Sequence, residues 1–97
     1  MQDYSEIAKA RGIPVVLVSQ ENTSRWHWTI YNTEGGSFGM SDSGSSRKRA
    51  IAHGAHSLGD GMCFLVAQHH WTGDDWETVG GLDLYQKSHG MCLQGVA

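Results

Sequence analysis

The segment from Arg25 to Tyr31 alternates strictly between large apolar side chains and more polar ones. In an extended chain, three residues of this segment would share one face: Trp26, Trp28 and Ile30. The residues between them would share the other face: His27, Thr29 and Tyr31. A period of two is typical of a β-strand with one buried side, so the chain is expected to contain a sheet. We expect Trp26 and Trp28 to face its core, because large rings fill the interior of a small domain well.

Four further segments have the composition of strands. Pro14 to Ser19 is a nearly continuous β-branched apolar run, which predicts a central strand. Glu34-Gly35-Gly36 predicts a hairpin turn that leads into a short third strand over Ser37–Met40. Met62 to Gln68 predicts another strand, and Met91 to Val96 predicts a last strand at an edge of the sheet.

Two helices are predicted. Asp3 can cap a short helix that runs to Arg11 and ends at a glycine. Arg47 to Leu58 carries apolar residues at helical spacing and predicts the main helix, preceded by a polar loop over residues 41–46. Beyond residue 72 the patterns weaken, with a short strand from Trp76 to Val79 and a helical turn from Leu82 to Gln86 in an otherwise irregular region.

These elements predict an α+β fold: a small antiparallel sheet of three to five strands, with the main helix packed on one face and a short N-terminal helix. The 97 residues are enough for one hydrophobic core, so a single domain over residues 1–97 is expected. No apolar run approaches the roughly 18 residues that indicate a membrane span. The start of the sequence lacks the basic and apolar regions of a secretory signal, so we expect a cytoplasmic protein.

Charge is distributed unevenly. Residues 1–49 carry six basic and five acidic side chains, whereas residues 50–97 carry only Lys87 against five acidic ones. Nucleic acid binding needs a coherent basic surface, which this distribution disfavours. An acidic half could instead face a basic protein partner, or serve solubility alone.

The reactive side chains do not form a familiar catalytic motif. The sequence has no GxSxG, P-loop or HExxH motif, so we predict neither an enzyme nor a cofactor. Several residues are of types that zinc accepts: Cys63, His69, His70, His89 and Cys92. Their spacing lacks a CxxC pair, and we expect reduced structural thiols rather than a metal site, with a zinc-binding domain kept as an alternative.

Two candidate partner-binding surfaces remain. The first combines aromatic and acidic side chains: Trp71, Asp74, Asp75 and Trp76. Tryptophan is enriched at interface hot spots, and these residues lie outside the clearest periodic elements. The second surface is basic: Arg47, Lys48 and Arg49. Cations at a helix N-terminus oppose the helix dipole, which indicates that they serve something other than helix stability.

The order of the first elements resembles that of small proteins encoded by phages and mobile elements, including some anti-CRISPR proteins. The resemblance covers residues 14–58 and rests on Arg25-Trp26-His27-Trp28-Thr29-Ile30, the turn Glu34-Gly35-Gly36, and the stretch Ser41 to Ala52. These proteins share no functional motif, so no residue role is carried over. The resemblance implies a non-enzymatic inhibitor that binds a protein of a host defence complex, such as a nucleic-acid-binding subunit.

One alternative to this inhibitor is a small regulatory or antitoxin-like module. Such a module would form a homodimer through an exposed sheet edge, at residues 37–40 or 91–96, whereas the inhibitor could act as a monomer. The oligomeric state therefore separates the two hypotheses.

Overall fold

The structure of the protein is a computed structural model that describes residues 3–44 and 46–95, with the backbone alone for residues 40–44. Its elements follow one another along the chain: α1 (Tyr4–Arg11), β1 (Val15–Asn22), β2 (Arg25–Tyr31), β3 (Ser37–Gly44), α2 (Arg47–Gly54), β4 (Cys63–Trp71), β5 (Trp76–Thr78), β6 (Asp83–Ser88) and β7 (Met91–Gln94). Neither of the helices in these ranges is long and apolar enough to cross a membrane. The predicted α+β class is confirmed.

The strands form one seven-stranded sheet in the order β3-β2-β1-β4-β6-β7, with β5 paired to β4 beside this path. Neighbours are antiparallel except β1 and β4, which run parallel from the pair Val15–Leu65 to the pair Gln20–His70. The sheet is therefore mixed and larger than the three to five antiparallel strands predicted. The β1 strand lies at its centre, as the β-branched run indicated.

The first helix forms as its end signals predict. The Asp3 carboxylate accepts a hydrogen bond from the Glu6 backbone N–H at 3.3 Å, which satisfies an amide that has no partner within the helix. At the other end Gly12 adopts φ 66°, the left-handed conformation that ends many helices.

The two helices cover opposite faces of the sheet. On the α2 face, buried apolar residues pack into one cluster that includes Val16, Val18, Trp26, Phe64 and Val66. On the α1 face, a second cluster combines Tyr4 and Ala8 of the helix with Val15, Leu17, Leu65 and Ala67 of the sheet. Successive residues of β1 thus alternate between the two clusters. The prediction that Trp26 and Trp28 are buried is confirmed, at 6% and 8% exposure.

The second helix is shorter than predicted and ends at Gly54 rather than at Leu58. A Cβ atom on Gly54 would lie 2.6 Å from Cγ1 of Val16, so the helix backbone packs directly on β1. Past its end, the Lys87 ammonium of β6 donates to the carbonyl oxygens of Ala55, His56 and Leu58 at 3.1, 3.1 and 2.8 Å. Lys87, the sole basic residue of the second half, therefore caps this turn with a positive charge.

Two segments differ from their predicted structure. Residues 41–44 extend β3 instead of forming a loop, while Ser45 lies outside the described residues and Ser46 caps α2 as its residue type predicts. The segment Leu82 to Gln86 is mostly strand β6 rather than a helical turn, because Asp83–Gln86 pairs with Cys63–Val66 of β4. The last third is consequently regular structure, and β7 is the predicted edge strand, with Val96 outside the described residues.

Candidate functional site

Strands β4 and β5 form a short hairpin, here called the tryptophan hairpin, over Trp71–Trp76. Trp71 and Trp76 lie directly opposite each other in the register, and their ring centroids are 5.2 Å apart at an angle of 58°. Trp71 remains 39% exposed, which places a large amphipathic ring on the surface. The pairing stabilises the hairpin and at the same time holds both rings in a fixed orientation.

The acidic turn of this hairpin is held by its own side chains. The Thr72 hydroxyl accepts the backbone N–H groups of Asp74 and Asp75 at 3.4 and 3.1 Å. The Asp75 carboxylate accepts the Trp76 N–H at 2.8 Å, so part of its hydrogen-bonding capacity is used within the turn. Asp74 is exposed, and its carboxylate is the better placed of the two for an external partner.

The basic segment at the start of α2 is split by the structure. The Arg47 guanidinium donates to Gln68 Oε1 at 2.7 Å and to the Tyr85 hydroxyl at 3.1 Å, and it lies 3.6 Å from an Asp83 carboxylate oxygen. Arg47 thus ties the helix to β4 and β6, which gives a structural reason for a cation at a helix N-terminus. Lys48 and Arg49 are exposed.

The two predicted surfaces lie on opposite faces of the sheet. In β4, Gln68 follows Phe64 and Val66 at intervals of two residues, so it shares their α2 face. Arg47, which donates to Gln68, therefore binds on that face. Trp76 lies on the α1 face, where it lines a pocket with Leu17. One flat partner surface could not cover both, so the tryptophan hairpin and the basic segment are separate candidate sites.

An open groove of about 400 Å³ runs between α2 and the β7 edge. Its lining includes Arg47, Ile51, Tyr85 and Cys92. Burial raises the pKa of the Cys92 thiol, which keeps the sulfur protonated and weakly nucleophilic near neutral pH. Cys63 and Cys92 are both free thiols, as the sequence indicated.

A second pocket, of about 290 Å³, lies on the α1 face and was not predicted. We call it the Tyr–His pocket, after its members Tyr4, Leu17, Ser19, His27, Tyr31, His69 and Trp76. In the register, Ser19 of β1 pairs with His27 of β2 on one side and with His69 of β4 on the other. Three polar side chains therefore form a row across neighbouring strands.

His69 is a buried polar residue of this pocket, at 5% exposure. Its Nε2 atom forms a hydrogen bond of 2.9 Å with the Tyr4 hydroxyl, which links the sheet to α1. Burial lowers the pKa of His69 below its usual value, so its imidazole is neutral at pH 7. Burial also raises the pKa of Tyr4 and of Tyr31, and both phenols stay protonated.

His27 closes the other end of the row. Its Nε2 atom lies 3.1 Å from the Glu21 carboxylate, and this hydrogen bond lowers the pKa of Glu21. The alternation of β2 already placed His27 and Tyr31 on one face. The sequence does not predict that His69 lies in the same row as Ser19 and His27. That arrangement depends on the parallel pairing of β1 with β4.

The five residues considered for zinc are not brought together. Cys63 and His69 lie six positions apart on one strand, a separation of about 20 Å at 3.3 Å per residue. Within residues 3–44 and 46–95, no three His, Cys, Asp or Glu side chains are grouped as a metal ion would require. Comparison of the chain with family models, with curated proteins and with solved structures finds no match.

Proposed function

We propose that this chain is a non-enzymatic inhibitor that acts by protein–protein binding through the tryptophan hairpin. The observation that carries the proposal is the exposed Trp71 ring, held against Trp76 beside the acidic turn. Tryptophan offers a large contact area at a small cost in side-chain entropy, and the ring pair is already ordered.

A basic partner surface fits the charge of the hairpin. Asp74 and Asp75 lie in the half of the chain that carries five acidic side chains and one basic one. Complementary charge accelerates association and selects the partner. The basic groove of a nucleic-acid-binding subunit has this chemistry, while direct contact of the hairpin with nucleic acid is disfavoured by repulsion.

The resemblance to small phage-encoded inhibitors supports an anti-CRISPR role, with a host defence complex in the cytoplasm of the host cell as the target. Occupation of a subunit's nucleic-acid groove would block access without any chemical step. A standard interface of about 800 Å² per partner is a fair fraction of a surface of 5713 Å².

The test is quantitative capture of a single partner from host lysate, followed by affinity measurement with that purified partner. Trp71→Ala should weaken binding at least about tenfold, and Asp74→Asn should weaken it and reduce its dependence on salt. Phe38→Ala is the matched control, since Phe38 is 66% exposed on β3, far along the sheet order from β5. Unchanged affinity for Trp71→Ala would remove the hairpin from the interface.

The edge strands favour a second candidate, the homodimeric regulatory or antitoxin-like module. In the sheet order β3 and β7 are the two ends, and β7 exposes Met91 at 61% and Leu93 at 48%. The unpaired backbone N–H and C=O groups of an edge strand are a template for strand pairing between copies, and exposed apolar side chains favour that pairing. Sedimentation at micromolar concentration distinguishes the candidates: a dimer that Leu93→Lys dissociates supports this module, and a monomer contradicts it.

A further inference from the structure

The Tyr–His pocket shares Trp76 with the tryptophan hairpin, but the inhibitor proposal does not use its other lining residues. Five of its seven lining residues carry an aromatic or imidazole ring: Tyr4, His27, Tyr31, His69 and Trp76. The Tyr4 and Tyr31 ring centroids are 5.8 Å apart, and those of Tyr4 and His69 are 5.6 Å apart. Rings at such distances favour a further flat ring, by stacking or by edge-to-face contact.

The charges around the pocket restrict the ligand. None of its described lining residues is Lys or Arg, His69 is neutral at pH 7, and a carboxylate, Glu21, is bound to His27. An anionic ligand would therefore lose its hydration without gaining a strong cationic partner. The same neutral imidazole and hydroxyl groups can both donate and accept hydrogen bonds, as the edge of an uncharged heterocycle does.

One nitrogen of His69 is available to such a ligand. Its Nε2 atom is bonded to Tyr4, and among the described residues no buried side-chain nitrogen or oxygen lacks a partner. The Nδ1 atom is therefore the ring nitrogen left for a ligand, and His69 lines the pocket. Ser19, next to His69 in the register, adds a hydroxyl to the same wall.

We propose that the Tyr–His pocket binds an uncharged heteroaromatic ring of nucleobase size against its aromatic wall, with Ser19 and His69 addressing the polar edge of that ring. The volume of about 290 Å³ lies at the lower limit of known small-molecule pockets, which suits a single ring system. Tyr4 comes from the α1 helix, so this helix contributes both to the pocket wall and to the hydrophobic core.

The test is an NMR titration of the full chain with three uncharged probes: adenosine, nicotinamide and indole. At least one should cause saturable shifts of the His69 and Trp76 ring signals, with a Kd below about 1 mM. Cyclohexanol, which is not planar, and benzoate, which is an anion, should bind at least about tenfold more weakly. If none of the three probes saturates by about 5 mM, or if cyclohexanol binds as tightly as the best probe, the proposal is overturned.

Variants separate this site from the tryptophan hairpin. Ser19→Ala and Tyr31→Leu should each weaken the best probe about fivefold or more, while Phe38→Leu, a matched ring removal elsewhere, should leave it unchanged. Asp74→Asn, which alters the exposed turn and no residue of the pocket lining, should leave probe binding intact even where it weakens capture of a protein partner. Equal loss for Tyr31→Leu and Phe38→Leu would contradict the pocket. Ser19→Ala keeps the test valid if Tyr31→Leu fails to fold.

Discussion

The sheet face under α2 is lined by Val, Trp and Phe side chains, whereas the face under α1 carries Tyr, His and Ser beside its apolar cluster. Over the middle of β1 the α2 face is closed by a helix so near that a Cβ on Gly54 would meet Val16, and the open groove on this face lies at the β7 edge. On the other face α1 leaves an open pocket next to Leu17. The same strands serve both faces, because alternation sends successive side chains to opposite sides. We infer that the α2 face mainly stabilises the fold and that the α1 face is available for recognition.

The largest expected effect is at the centre of the α2 face. Phe64 is fully buried and stacks on Tyr85 with ring centroids 5.6 Å apart. Phe64→Ala should lower the free energy of unfolding by about 3–5 kcal/mol, through lost burial and the cavity left behind. Tyr31→Ala, in the half-buried wall of the pocket, should cost no more than about 1–2 kcal/mol. Chemical denaturation of both variants measures their free energies of unfolding. Equal losses of stability would contradict the inference that the α2 face stabilises the fold more than the α1 face.

A smaller effect is expected where α2 meets β1. Gly54→Ala places a methyl group 2.6 Å from Val16 Cγ1, so the helix or the strand must shift. We expect a loss of about 1–3 kcal/mol, the usual cost of overpacking a core. Gly59→Ala is the matched control, because a Cβ there meets nothing within 4 Å. Thermal unfolding of the two variants checks this, and a Gly54→Ala protein as stable as the control would show that the face is loosely packed.

The smallest effect concerns pH and the α1 face. His69 has a folded-state pKa below its unfolded value of about 6.5, so the unfolded chain takes up the proton first as pH falls. Stability should therefore decrease as pH drops below about 6.5 and level off below the folded-state pKa. The groups facing His69 are the Tyr4 hydroxyl and, in the register, Ser19 and Thr78.

Urea denaturation between pH 5 and pH 7 of the natural chain and of His69→Gln measures this contribution. The variant should show a shallower decline in stability, since it cannot take up that proton. The lowered pKa of Glu21 acts in a separate range, below its ordinary value of 4.5. Identical pH profiles for the two proteins would mean that His69 titrates alike in both states.

Local patterns were enough to predict α1, β1 and β2, because their signals lie within a few consecutive residues. Asp3 caps its own helix, and the alternation from Arg25 to Tyr31 coincides with β2. The helical turn predicted over Leu82 to Gln86 is wrong, because Asp83–Gln86 becomes extended by pairing with β4, a segment distant in the sequence. Likewise the polar residues 41–44 are typical of a loop, yet an edge strand tolerates them because it has a paired neighbour on one side only.

The candidate sites also differ in how far the sequence alone predicts them. The tryptophan hairpin could be anticipated from composition, since Trp71 and Trp76 flank a Gly-Asp turn. The Tyr–His pocket could not, because it needs the register that sets Ser19 between His27 and His69. The sequence predicts Arg47 as a surface cation, whereas its guanidinium donates to Gln68 and Tyr85, two residues that are distant in the sequence.

The most direct test of the division between the faces compares two neighbours on β1, Val16 and Leu17, in urea denaturation. Val16 is fully buried under α2, whereas Leu17, buried at 8% exposure, lines the open pocket on the other side. We expect Val16→Ala to cost at least as much as Leu17→Ala, although leucine loses more carbon atoms, because the pocket leaves part of that side chain unpacked. A Leu17→Ala loss that exceeds the Val16→Ala loss by about 1 kcal/mol or more would show the α1 face to be the tighter core, and would contradict the division.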